Sequence, residues 1–180
     1  MDRSVSPLLQ SRRALLLGMP MLALAGCNSE STAARSLPEM VLAPVDGMKT
    51  ASGWQYPGID TGTFIGRPTL INFWATWCGV CDSEHASLQK LAADTRIRFV
   101  GVAVRDTPDA VRSHLKEHGN PYAAVSVDAR GALFAKMGQR GVPTKVLIDG
   151  QRRPVATIVG PANNLHIMLR IKDAIAKTLV

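Results

Sequence analysis

The chain is poor in the residues that would make several readings easy. Three cysteines occur in 180 residues, too few for a disulfide-dense scaffold. Aromatic side chains make up 5 % of the sequence and do not interleave with the charges. Lys and Arg number 21 against 14 Asp and Glu, a net charge of +7, yet no basic run is longer than two residues, as at Arg152-Arg153. The footprint of a nucleic-acid site is therefore missing. The positive balance reads as a solvated surface that would also suit anionic lipid or an acidic partner. No internal repeat and no low-complexity segment is found. The longest apolar stretch, Ala14 to Gly26, falls short of the roughly 20 residues that span a bilayer.

What is there begins with an address. Residues 1–27 read as an export signal, to be set aside before fold reasoning. Arg12 and Arg13 form its basic region, and Leu24-Ala25-Gly26-Cys27 resembles a bacterial lipobox. That resemblance implies a diacylated Cys27 as the mature N-terminus, and two acyl chains anchor stably where one does not. Ser11 to Leu16 also looks like a twin-arginine signal, though a plain secretory signal fits nearly as well. An ordinary cleaved signal with an incidental cysteine is the bland alternative. Residues 28–40, rich in Ser, Thr, Ala and Glu, read as a flexible tether, and residues 41–180 as one domain with a real core.

Within that domain, Val41 to Trp54 reads as a β-hairpin broken at Asp46-Gly47, and Pro57 to Arg67 as loop. Thr69 to Trp74 is an almost unbroken apolar run, as expected of a strand buried on both faces. A helix is predicted over Cys81 to Ala93, a strand over Ile97 to Val104 and a helix from Pro108 to about His118. There follow an extended piece at Tyr122 to Val127 and a short helix from Arg130 to Met137. Two strands joined by a turn (Lys145 to Asp149 and Val155 to Val159) lead to a final helix from Asn163 to Leu179. This order is an α/β arrangement, βαβ followed by β-β-α, with a mixed sheet flanked by helices.

With Cys27 assigned to lipid, Cys78 and Cys81 remain, spaced C-x-x-C where a strand hands over to a helix. A structural staple would gain little, since closing a loop of about four residues is worth roughly 2 kcal/mol against about 3 for fifteen. A redox pair fits better. The unpaired N–H groups of a helix start favour a thiolate at Cys78, the candidate nucleophile. Cys81 lies nearly one turn further, more buried, as the resolving thiol.

Other residues carry two readings each. Glu84 shares a helix face with Cys81 and Leu88. A half-buried carboxyl there would have a raised pKa and could trade protons with Cys81, whereas a solvated early-helix acid is equally compatible with the sequence. Trp77 suits the rim of a substrate groove or the core, and Trp74 the core. Pro143 could open a strand in the common trans form or sit cis. His85 completes an i, i+3, i+7 set with the cysteines, but a fourth metal ligand is not evident, so a solvated histidine is expected and no metal site. His114, His118 and His166 belong to no motif. Cu(I) held on the two thiolates, as in a periplasmic copper chaperone, is the alternative to catalysis.

The strand, Trp77-Cys78-Gly79-Val80-Cys81 and Gly141-Val142-Pro143-Thr144 together resemble the thioredoxin-like fold. More narrowly, they are similar to membrane-tethered periplasmic thiol–disulfide oxidoreductases of the TlpA, ResA and CcmG (DsbE) type. The resemblance runs from about Val41 to the C-terminus and implies an added N-terminal β-hairpin. It implies that Pro143 is cis and packed opposite the cysteines, with Val142 offering backbone groups to an extended substrate. It places Glu84 where reductive members carry a glutamate. The redox group would be the Cys78–Cys81 disulfide, with no cofactor. The implied partners are disulfides of exported proteins, with apocytochrome c first and cytochrome oxidase assembly factors next. A membrane thiol donor would supply electrons to a lipid-anchored periplasmic monomer. The chain departs from the pattern at Asn72, where general thioredoxins carry a buried aspartate, and at Ala86, where a proline is usual. It also lacks the acid that often follows the cis-proline, which counts against the cytochrome c branch.

Overall fold

A computed structural model describes residues 36–50 and 52–180. The export signal and Cys27 lie outside the described residues.

Five strands form one mixed sheet in the order β5-β4-β3-β6-β7. They are β3 (Thr69–Trp74), β4 (Arg98–Val104), β5 (Ala124–Asp128), β6 (Thr144–Ile148) and β7 (Pro154–Val159). β3 sits at the centre, parallel to β4 and antiparallel to β6, and every one of its six side chains is buried. That is the reason for its unbroken apolar run: helices cover both faces, so alternation is lost. Alternate residues of β3 nonetheless serve different layers. Leu70 and Trp74 face Leu88 and Leu91 of α2 (His85–Ala92), Val111 of α3 (Pro108–His118) and Ile171 of α5 (Leu165–Thr178). Ile71 and Phe73 face Leu133 and Phe134 of α4 (Ala132–Lys136), joined by Leu37, Ile59 and Phe64.

Local chemistry explains most boundaries. Thr107 caps α3 and Pro108 supplies its preset first position; Asn164 caps α5. The helix after the cysteines starts earlier than predicted, with α1 (Gly79–Ser83) capped by Cys78, and it breaks at Glu84 before α2. The break falls where the Glu84 carboxylate is drawn inward to the backbone N–H of Ala162.

The N-terminal part differs from the hairpin expected over Val41 to Trp54. β1 (Val41–Leu42) pairs instead with β2 (Ile59–Asp60), inside the segment read as loop. Asp46-Gly47 does turn the chain, with Met48 N–H donating to Val45 O. Pro44, however, has no N–H to give a ladder, and the residues after the turn close their own ribbon through a Lys49–Gln55 bridge. The packed chain also begins inside the stretch read as tether: Leu37 is buried and its N–H donates to Arg152 O at 2.8 Å. The polar composition of residues 28–36 hid this apolar anchor.

Candidate functional site

The C-terminal end of the central strand β3 lies beside the turn after β4, and that turn shapes the cysteine segment. Asp106 is buried and accepts from Thr76 N (2.7 Å), Thr76 Oγ (3.0 Å) and Thr107 N (2.8 Å). One carboxylate thus ties the junction between β3 and α1, at Thr76, to the turn between β4 and α3, at Thr107. Nothing in the sequence spacing singled it out. Trp77 is 60 % exposed, its indole N–H donating to Arg105 O at 3.1 Å. Trp74 is buried in the core.

Cys78 and Cys81 are joined by a disulfide. Cys78 has extended backbone angles as the N-cap of α1, and its sulfur accepts the Cys81 backbone N–H at 3.3 Å. A sulfur capping a helix is stabilised as an anion by that N–H and by the aligned peptide dipoles behind it. Cys81, at 4 % exposure against 9 % for Cys78, is the more buried of the two. The Val142–Pro143 bond is cis, the isomer that the resemblance implies. It brings Val142 O to 4.0 Å from Cys78 Sγ, while Pro143 is buried and Val142 half-buried.

Three residues after Cys81 begins a buried polar group that sequence reasoning foresaw only in part. Glu84 is fully buried rather than half-buried or solvated. Its Oε2 accepts from Lys145 Nζ and, at 2.6 Å, from Ala162 N, whereas Oε1 has no partner. Lys145 is also fully buried and donates to Gly160 O at 3.0 Å. Burial pulls its ammonium pKa below the ordinary lysine value, with Glu84 acting in the opposite direction. The available signal was a lone lysine in the apolar run from Val142 to Ile148, two residues after Pro143. Directly opposite Lys145 on β3 is Asn72, whose side-chain amide donates to Tyr122 Oη at 3.0 Å. Gly101, next to Asn72 on β4, makes this possible, since a Cβ there would stand 2.6 Å from the Tyr122 ring. Burial raises the Tyr122 phenol pKa.

The histidines also differ from expectation. His85, His114 and His118 gather on the flank of α2 and α3, with ring centroids 4.5–6.0 Å apart. His85 is buried rather than solvated, with Nε2 2.9 Å from Gly119 O. His114 Nε2 lies 3.8 Å from Asp82 Oδ1. Spacing across two helices does not reveal such a cluster. Among the described residues, no set of three or more His, Cys, Asp or Glu side chains is placed to hold a metal ion.

A disulfide at the cap of a helix, a cis-proline against it and a five-stranded mixed sheet beneath define a thioredoxin-fold thiol–disulfide oxidoreductase. Residues 58–171 match the redoxin family, and the chain belongs to it. It is 35 % identical over 126 residues to the thiol:disulfide interchange protein HelX of Rhodobacter capsulatus, covering 70 % of this chain and 71 % of that protein. It is 46 % identical over 85 residues to the thiol:disulfide interchange protein DsbE of Escherichia coli, covering 47 % of this chain and 45 % of that protein. The structure also resembles that of a secreted Mycobacterium tuberculosis disulfide oxidoreductase described as homologous to E. coli DsbE. That likeness has a TM-score of 0.61 at 22 % identity, and it covers 77 % of this chain and 96 % of that one. It speaks for the fold alone.

Proposed function

We propose that this protein reduces disulfides in exported proteins from a membrane-anchored position. Cys78 is the nucleophile, Cys81 the resolving thiol and Glu84 the group that exchanges a proton with Cys81. Trp77, Val142 and Pro143 line the groove that holds the client chain. The observation that carries the reading is the helix-capping sulfur of Cys78, held 3.3 Å from the Cys81 N–H and beside the cis-proline. A thiolate stabilised there is both available for attack and a good leaving group. The names of the relatives, thiol:disulfide interchange proteins, support the same chemistry. The client class is apocytochrome c, by likeness to the DsbE type, with cytochrome oxidase assembly factors second. Lipid on Cys27 holds the domain at the periplasmic face of a bacterial membrane, where a membrane thiol donor restores the dithiol.

A Cys81→Ser variant tests this. Cys78 would then stall as a mixed disulfide with its client, which mass spectrometry names. Recovery of no disulfide-linked protein from exported extracts would count heavily against the proposal. Tight Cu(I) binding by the reduced protein without insulin reduction would point to the copper alternative.

A further inference from the structure

A buried ion pair joins Glu84, at the end of the helix that carries Cys81, to Lys145 of β6, and simple dithiol exchange does not require it. Lys145 and Glu84 are both fully buried. Replacing such a pair by apolar residues is often neutral or stabilising, so the pair is a weak argument for stability alone. Its geometry is selective. Lys145 is the second residue of β6, the strand that begins directly after Pro143, and lies directly opposite Asn72 of β3. Glu84 closes α1 three residues after Cys81 and keeps right-handed helical backbone angles, which leaves it on the Cys81 side of that turn. Lys145 Nζ and Ala162 N occupy Oε2, and Oε1 is left buried and unpartnered. A buried carboxylate oxygen with no donor is uncommon and fits a site where a proton arrives during the reaction.

We infer that Lys145 is a positioning residue for thiol–disulfide exchange, holding the Glu84 carboxylate turned so that Oε1 alone is free to receive the proton of Cys81. The inference rests on the proposed role of Glu84. In the mixed disulfide, Cys78 is bonded to one client sulfur and Cys81 is a thiol. Oε1 takes the Cys81 proton, and the thiolate attacks Cys78 Sγ. The Cys78–Cys81 bond forms as the Cys78–client bond breaks. The client sulfur leaves with the electron pair and is protonated from Glu84. The other client sulfur left when Cys78 first attacked and takes its proton from water, balancing the proton Cys78 gave up on ionising. Two electrons pass to the client and the dithiol becomes a disulfide. Without Lys145, Oε2 loses one of its two donors and the carboxylate loses the close opposite charge that favours its ionised form.

Other titratable groups surround the pair. Cys81 lies on α1, and the Tyr122 phenol stands beyond Asn72 and is coupled to Glu84. His85 follows Glu84 but turns to Gly119 O, and His114 with Asp82 lies on the flank of α1 and α3. The turn after β7 meets the pair with backbone groups, Gly160 O and Ala162 N–H.

The test is stopped-flow reaction of the reduced full chain with a bis(nitrobenzoate) disulfide across pH. Release of the second thionitrobenzoate reports attack by Cys81. Lys145→Met is expected to move the midpoint of that step upward by about one pH unit or more, as removal of a close opposite charge does. Lys145→Arg should restore the wild-type profile. Glu84→Gln and the double variant Glu84→Gln/Lys145→Met should share one profile. If Lys145→Met fails to fold, Lys145→Gln keeps two donors, loses the charge and is expected to shift the midpoint in the same way. A Lys145→Met or Lys145→Gln profile that superimposes on wild type overturns the inference while leaving the Glu84 role intact, provided Glu84→Gln alone shifts it. A Glu84→Gln profile equal to wild type overturns both.

Discussion

The two faces of the central sheet treat buried polar atoms differently. On the face toward α4, the buried Asp128 has both oxygens engaged, by Ala132 N at 2.7 Å and Phe134 N at 2.9 Å, and so fastens a helix to the sheet. Around it Ile71, Phe73, Val100 and Val102 pack against Leu133 and Phe134. On the face under the disulfide, Asn72 Oδ1, Trp74 Nε1 and Glu84 Oε1 are buried without a partner. One strand, β3, serves both faces. On the first face polarity fastens the fold; on the second the unpaired groups lower stability, and that face is the one the proposed reaction would use.

Substitutions can break that contrast. The largest effect is expected at the ion pair. Glu84→Gln leaves the Lys145 ammonium buried without a counter-charge and should lower stability by about 3–5 kcal/mol in urea unfolding. Glu84→Leu with Lys145→Met should recover most of that loss without restoring insulin reduction. Full recovery of activity would show that the polar face serves only packing. On the other face, Phe73→Ala removes a fully buried ring stacked edge-on against Phe134. It should cost a similar 3–5 kcal/mol through cavity formation, and no charge change elsewhere should repair it. The rate per folded molecule should be unchanged; a loss there would tie the apolar face to the reaction.

A smaller effect concerns pH. Burial holds the His114 imidazole below its ordinary value, Asp82 pulling it back while His118 and His85 add to the depression. The unfolded chain therefore takes up the proton before the folded one. The stability that depends on neutral His114 is complete above the unfolded value of about 6.5 and is lost as pH falls through the lower folded value. Urea midpoints should fall on acidification through this window, and His114→Asn should flatten the slope; an unchanged slope would remove His114 as its source. The smallest stability change is expected at the surface. Trp77→Ala should shift unfolding by no more than about 0.5 kcal/mol, given the exposure of the ring. The same variant should capture less client in the Cys81→Ser background. Undiminished capture would remove Trp77 from the groove.

Much of this was legible in the chain. The run from Thr69 to Trp74 reads as a doubly covered strand and is one, and Pro108 and the Asn163-Asn164 pair mark helix starts because capping is decided within four residues. The added N-terminal antiparallel pair is present, but its second strand was misplaced because turn chemistry at Asp46-Gly47 identifies a turn and not the partner strand. The histidine cluster was missed for a related reason: His85 and His114 stand on helices whose packing angle no local pattern encodes.

By itself the sequence determined the redox pair and its place at the end of a buried strand, because these rest on short-range backbone and side-chain preferences; the cis-proline facing it was implied by the family resemblance alone. Only the tertiary structure decided which groups support the pair. Glu84 and Lys145 are 61 residues apart in sequence, and Asn72 and Tyr122 are 50 apart. They meet because β6 returns antiparallel beside β3 and because Gly101 leaves room for a ring. Burial and charge pairing at that distance depend on the order of the strands, which no stretch of residues states alone.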